Sequence, residues 1–239
     1  MQFGLSEEQT LLLDNVNRFL DDNSPLDRVR AYADGGDDAD IWAGLAELGV
    51  PALLIPEAQG GIGLNPLDAA IVAQSLGAHI TPSPFLGTAV MAPTALMASG
   101  GQYDDLLAEI AAGTHRVGIA FSEAIKRRND AQVEARDGAL FGKSLFAFDA
   151  DADSYLVADQ KQHLYLVAAD DPGLTRTHLT TVDKTRRTVE LTYDNAAAQS
   201  ISTDVRVFES VLDIGRVAIA ADTMGCLLYT SDAADECSG

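Results

Sequence analysis

The sequence predicts an α+β multidomain protein, with an all-α helical N-terminal domain followed by a small antiparallel β-barrel or sandwich. Three observations predict it. Up to about residue 115 apolar residues recur at helical spacing between capping signals, from 117 onward they come in short alternating runs, and near Phe208 a helical stripe returns. The charge divides at the same boundary. Arg18, Arg28 and Arg30 are the only cations before Arg116, in a chain of formal net charge −20.

The helical part is punctuated by start and stop signals. Ser6-Glu7-Glu8-Gln9 has the spacing of a capping box, and Leu12, Val16, Phe19 and Leu20 mark one apolar face behind it. Ser24-Pro25 and Asn65-Pro66 each set a capping side chain before a proline suited to a first helical turn. Ile41, Trp42, Leu45 and Leu48 form a second stripe closed by Gly49. Residues 67–76 are closed by Gly77 and residues 103–112 by Gly113, each read as a C-terminal cap. Between them, residues 56–64 form a glycine-rich loop. About six helices with short connections result.

Period two then takes over. Residues 117–121, 132–136, 139–148, 154–157, 163–167 and 187–193 are short and rich in Val, Leu, Phe, Tyr and Thr, and Asp/Gly/Asn clusters separate them. Asp137-Gly138 signals a hairpin. These strands follow one another without intervening helices, which predicts the barrel or sandwich. In the last segment Val211, Ile214, Val217, Ile219 and Ala221 lie on or near one side of a helix.

Composition narrows the function. An excess of 36 Asp+Glu over 16 Lys+Arg opposes nucleic acid as a general partner and docking on an anionic membrane. Cys226 and Cys237 fit neither a disulfide framework nor a cysteine zinc site. No apolar run reaches the roughly 18–20 residues of a membrane span, and the start lacks a signal peptide. A soluble cytoplasmic protein is expected.

No self-contained catalytic constellation stands out. His79, His115, His163 and His178 are scattered, without an i,i+4 pair or an acidic partner at ligand spacing. Gly60-Gly61-Ile62-Gly63 follows no strand and lacks the Lys-Ser/Thr of a phosphate loop. Asp149, Asp151 and Asp153 alternate as in calcium loops but lack the later glycine and glutamate, so a solvated turn is expected. Lys126-Arg127-Arg128 reads as a solvated loop, and Ser122 sits in no nucleophile elbow.

Several motifs in order resemble the acyl-CoA dehydrogenase family. Phe3-Gly4-Leu5-Ser6-Glu7-Glu8-Gln9 looks like the start of its first helix. Leu48-Gly49-Val50-Pro51-Ala52-Leu53-Leu54-Ile55-Pro56-Glu57 through Gly60-Gly61-Ile62-Gly63-Leu64 is similar to its N-domain signature, and Pro82-Ser83-Pro84-Phe85 continues the match. Val117-Gly118-Ile119-Ala120-Phe121-Ser122-Glu123 falls where the family enters its β-domain. Residues 183–187 and 215–225 resemble the β-domain exit and the first helix of its third domain. The resemblance covers about residues 1–225 and divides the chain into an N-terminal helical domain (1–115), a middle β-barrel domain (116–205) and the start of a C-terminal helical bundle (206–225). Residues 226–239 break the stripe and resemble one reading frame of a transposase adapter used in sequencing libraries. They are expected to be a foreign tail on a chain that is naturally longer. The alternative is a genuine polar C-terminus.

The resemblance implies FAD and a fatty acyl-CoA held between the domains, with oxidation to the trans-2-enoyl-CoA and hydride transfer to flavin N5. It implies electron-transfer flavoprotein as acceptor, a homo- or hetero-oligomer, and no nucleic acid or membrane partner. The family's catalytic glutamate lies in the bundle, so no residue here inherits that role and the chain is expected to be inactive. By the same resemblance, Ser122 matches the Thr/Ser that hydrogen-bonds the flavin ring, with Phe121 beside it. Phe146 matches an aromatic, usually Trp, near the isoalloxazine. Phe148 stands where the family commonly has Thr or Ser near N5. The Gly-Ser-Asp stretch expected after Glu123 is replaced by residues 124–130. For Phe146 and Phe148 the alternative is packing in a barrel core, and the two roles can coexist. These departures resemble a divergent bacterial branch acting on bulky or steroid-like acyl-CoAs in β-oxidation, some of whose members are heteromers with a weakly catalytic subunit. A non-catalytic partner subunit and a related flavin-dependent monooxygenase are therefore the alternatives.

Overall fold

The structure is a computed structural model that describes residues 4–126, 128 and 131–236, with side chains described as far as Leu228. Arg127 of the basic run and Cys237 lie outside the described residues.

Helix α1 (Glu7–Asn23) starts on the expected capping box, with the Gln9 amide donating to Ser6 Oγ at 3.1 Å and Gln9 Oε1 accepting from the Ser6 amide at 3.0 Å. Helix α2 (Leu26–Ala33) corrects the expectation for Ser24. Pro25 is its N-cap and no side chain caps it, because the buried Ser24 hydroxyl pairs instead with Thr81 Oγ1 at 3.2 Å. Helix α3 (Ala39–Glu47) runs to a left-handed Gly49 at φ 79°, as a C-terminal glycine cap requires.

The glycine-rich loop folds back on this segment. The amides of Ile62, Gly63 and Leu64 donate to the carbonyls of Ala52, Ile55 and Leu53 at 2.7–2.9 Å. Those amides are therefore spent within the chain, and none of them is free to cradle a phosphate.

Helix α4 (Pro66–Ala78) begins on a second capping box, Asn65 with Asp68. Gln9 Nε2 donates to Asp68 Oδ1 at 2.9 Å, which ties the starts of α1 and α4 together. Gly77 is not a terminal cap. It lies inside α4, which runs to Ala78, and Ile80 just beyond takes the left-handed turn at φ 52°. A π-helical segment (Leu86–Met91), α5 (Ala92–Met97) and α6 (Asp104–Ala111) complete the helical part, and Gly113 at φ 74° ends α6 as expected.

Strand β1 (Val117–Ala120) leads into a short helix α7 (Ser122–Ile125), an interruption the strand pattern did not show. Then follow β2 (Val133–Arg136), β3 (Ala139–Phe148), β4 (Ser154–Ala158), β5 (Leu164–Ala168), β6 (Leu174–His178), β7 (Thr188–Ala197) and β8 (Gln199–Ser202). Asp137 and Gly138 both have positive φ, 50° and 82°, and turn β2 into β3 as the hairpin signal predicts. The sheet order is β6-β7-β3-β1-β4-β5-β8, with β2 on β3. All pairings are antiparallel except β1 with β4, which is parallel, so the sheet is mixed. The strands that period two missed, β6 and β8, are the two ends of that order. Edge strands need no alternating apolar face, and Thr175-Arg176-Thr177-His178 is exposed throughout.

Helix α8 (Val205–Glu236) packs across α4. Its buried line is Phe208, Val211, Gly215, Ala218 and Gly225, whereas Val217 and Ile219 of the predicted stripe are half exposed. Its backbone stays helical past residue 225, where the sequence reading ended the stripe. One core cluster joins Leu107 and Ile110 of the helical part to Val117, Ile119 and Phe121, to Leu156 and Leu164 of the sheet, and to Phe208 and Val211 of α8. Among the described residues no helix is long and apolar enough to cross a membrane.

Candidate functional site

The side chains singled out by the sequence lie where β1 ends and β3 runs beside it. The antiparallel register pairs Ile119 with Phe148. Strand β3 does not alternate evenly. Against β7, Ser144 faces Leu191 and Ala147 faces Val189, so Leu145 and Phe146 together oppose Glu190. This bulge shifts the side-chain parity by one. Before it, Leu140 and Ser144 point into the core; after it, Ala147 does, and Phe146 and Phe148 turn outward. They are 46% and 39% exposed, which overturns the barrel-core alternative for both.

Ser122 opens α7 half-buried, and its hydroxyl donates to Glu123 Oε2 at 2.6 Å. Glu123 is 2% exposed, and its Oε1 accepts the Leu145 amide at 3.1 Å. The Arg128 guanidinium lies 5.5 Å from the centre of the Phe146 ring, with Nη1 3.5 Å from Glu123 Oε1. Ser122, Glu123, Arg128 and Phe146 thus form one group. Phe121 behaves differently. It is buried, with its ring tilted against Phe208 at 5.2 Å, so its side chain joins β1 to α8 rather than facing outward.

Phe148 borders a cleft between the helical part and the sheet, walled also by Tyr32, Ser83, Arg116 and Arg187. Its neighbour Asp149 is not in a solvated turn. Arg116 reaches Asp149 with Nε and Nη2 at 3.1 and 3.0 Å and Asp38 with Nη1 and Nη2 at 2.9 and 3.2 Å, and the Arg116 amide donates to Asp153 Oδ2 at 2.8 Å. Burial opposes the Arg116 charge, but hydrogen bonds and charge from Asp38 and Asp149 outweigh it and raise its pKa. Burial likewise raises the Asp149 carboxyl, against the pull of Arg116. Burial, with Asp38 next, pushes the Tyr32 phenol up to about 12. Arg187 lies 4.3 Å over the Tyr32 ring and is bound to Asp151, so the cleft's cations are already paired.

Three of the four histidines do find acids. His79 meets Asp21 at 3.0 Å, His115 meets Glu109 at 3.4 Å, and Asp159–His163 is an i,i+4 pair at 3.6 Å, which corrects the expectation that no such spacing occurs. No group of these residues could hold a metal ion among the described residues.

A planar ring system such as a flavin fits part of this arrangement. Two outward aromatics supply a stacking surface and Ser122 supplies a hydroxyl oxygen. Phe148 offers no hydrogen bond, and the Ser122 proton is already committed. The sequence singled out Phe121, Ser122, Phe146 and Phe148 and gave Glu123 only as the motif residue after Ser122, without the contacts it makes to Ser122 and Leu145.

Residues 6–114 match the family described as acyl-CoA dehydrogenase, N-terminal domain. The chain is 40% identical over 111 residues to acyl-CoA dehydrogenase IpdE2 of Mycobacterium tuberculosis (strain ATCC 25618 / H37Rv). That stretch is 45% of this chain and 35% of the relative, so the match spans about a third of the curated protein's length. Among solved structures, the chain resembles the Tcur3481-Tcur3483 steroid ACAD variant, with TM-score 0.80 and 27% identity over 92% of this chain and 63% of that one. It also resembles the ChsE4-ChsE5 complex from Mycobacterium tuberculosis, with TM-score 0.87 over 99% of this chain and 68% of that one. At 21% identity, the second likeness is one of fold.

Proposed function

We propose that this chain, whose residues 6–114 match the acyl-CoA dehydrogenase N-terminal domain, belongs to that family and forms the helical and β-domain part of an FAD-dependent enzyme that oxidises an acyl-CoA thioester to the trans-2-enoyl-CoA. The observation that carries the reading is the outward turn of Phe146 and Phe148 beside Ser122. Exposed aromatics on a sheet face serve as a stacking surface for a planar cofactor, and the bulge produces that face in a chain of this family. When bound, FAD supplies an acceptor for the β-hydrogen as hydride. Ser122, Phe146 and Phe148 orient the ring, and Phe121 supports the site from the core.

The acidic side chains beside this face are committed, Glu123 to Ser122 and Leu145, and Asp149 to Arg116. A base for the α-proton is therefore proposed to come from a C-terminal bundle outside these 239 residues. The chain by itself is then expected to bind FAD without turning over acyl-CoA. Electron-transfer flavoprotein is the proposed acceptor in an oligomeric full-length form. The likeness to a steroid ACAD variant supports a bulky or steroid-like acyl group as substrate.

Titrating the purified chain with FAD and assaying enoyl-CoA formation against a flavin-only control tests this reading. Absence of FAD binding overturns the flavin assignment, and enoyl-CoA above the control overturns the placement of the base. Phe148 favours a second reading, a non-catalytic partner subunit of a heteromer, because it brings no hydrogen bond to the flavin face. Reading the source gene downstream of this chain separates the two. A further bundle carrying the base glutamate supports the dehydrogenase, and a bundle without it supports the partner subunit.

A further inference from the structure

Glu123 is buried to 2% exposure, yet the proposed reaction gives it no role. It sits at the junction of everything that shapes the flavin face. Its Oε2 takes the Ser122 hydroxyl at 2.6 Å and its Oε1 takes the Leu145 amide of the bulge at 3.1 Å. Arg128 reaches from the same carboxylate to the Phe146 ring. With an amide and a guanidinium both aimed at it, the carboxylate accepts hydrogen bonds and donates none. The Ser122 proton is therefore held on the Glu123 side, and towards a ligand the hydroxyl oxygen offers only lone pairs.

We propose that Glu123 is a positioning residue that makes Ser122 a hydrogen-bond acceptor for a ligand N–H and fixes the bulge that presents Phe146. The inference rests on the flavin reading above and deepens it. The ligand selected is a planar heteroaromatic that stacks on Phe146 and carries an N–H on its edge. In the oxidised flavin ring the imide at N3 is the N–H donor.

The test is a titration of the 239-residue chain with FAD, followed through the visible absorption of the flavin. It compares wild type, Glu123→Gln, Ser122→Ala and the double variant. Glutamine keeps the shape and an acceptor for Leu145, but its NH2 group donates to Ser122 Oγ and frees the serine proton to turn outward. Glu123→Gln is expected to weaken FAD binding about 10-fold, the size of one hydrogen bond involving a charged group. It should shift the flavin band as Ser122→Ala does and add little to Ser122→Ala in the double variant. A wild-type affinity and band in Glu123→Gln, or independent losses that multiply in the double variant, overturn the proposal and leave the flavin site standing. A wild-type chain that binds no FAD overturns both. A second probe needs no variant. The wild-type chain is expected to bind FAD about 10-fold more tightly than N3-methyl-FAD, one hydrogen bond's worth. Equal affinities overturn the proposal even where Glu123→Gln fails to fold.

Discussion

Glu123 accepts the amide of Leu145 at 3.1 Å, a contact between residues 22 apart that closes the bulge where β3 slips against β7. A bulge leaves one residue without a ladder partner, and a buried amide without a partner is costly. The carboxylate supplies the missing acceptor. The side-chain parity of β3 thereby changes between Ser144 and Ala147, and the face bearing Phe146 and Phe148 exists because of it.

Removing that acceptor should be felt in stability. Glu123→Ala strips the Leu145 amide and the Ser122 hydroxyl of their partner and leaves a small void, and a loss of about 2–3 kcal/mol is expected. Urea unfolding measures it. A loss well under 1 kcal/mol, by the same scale, would show that the bulge does not depend on this carboxylate.

Helices α4 and α8 cross on glycine, and the sign of a common substitution is reversed there. In an open helix, Gly→Ala gains about 1 kcal/mol. A Cβ on Gly77 would stand 1.9 Å from the Asp222 carbonyl, and one on Gly225 the same distance from that of Gln74. Gly77→Ala and Gly225→Ala are each expected to lose about 2–3 kcal/mol through forced separation of the helices. Denaturation midpoints that hold or rise would place the crossing elsewhere.

What the sequence disclosed and what it hid follow from how far each feature reaches. The capping boxes at Ser6 and Asn65 and the Asp137-Gly138 turn are local, and each formed as its residues indicate. Gly77 closes an apolar run as a cap would, but its reason is a carbonyl from a helix far along the chain. Asp149 looks like part of a polar turn until Arg116 arrives from 33 residues away, itself held by Asp38 of the helical part. Strands β6 and β8 escaped because a sheet edge needs no apolar alternation. Two aromatic residues at alternate positions of β3 were legible, but the outward direction of Phe146 and Phe148 was not. A single inserted residue reverses every side chain after it, and periodicity cannot locate the insertion.

The Arg116 clamp predicts a pH effect. Burial holds the folded Asp149 carboxyl above its ordinary 3.8. Between 3.8 and that raised value the unfolded chain has released the proton and the folded chain retains it, so this residue's contribution to stability falls as pH rises through the window. Asp149→Asn cannot titrate. The melting temperature of the variant relative to wild type is therefore expected to climb as pH is raised from 3.8 and then level off. Parallel melting curves for the two proteins across that range would remove Asp149 as the source.

Phe146 and Phe148 allow binding to be separated from folding. Each ring is still more than half buried, so Phe146→Ala and Phe148→Ala are each expected to cost about 1–2 kcal/mol of stability, below the roughly 3–5 kcal/mol of a fully buried phenylalanine. A stacked aromatic in a binding site contributes about 0.5–1.5 kcal/mol beyond its area. Loss of either ring is thus expected to weaken FAD several-fold, Phe146 more than Phe148, because Arg128 and the bulge hold Phe146 in place and lower the entropy lost on stacking. Fluorescence titration with FAD beside a melting curve reads both quantities on the same samples. Destabilisation without a change in FAD affinity would return these two rings to a structural role and remove the observation on which the flavin face rests.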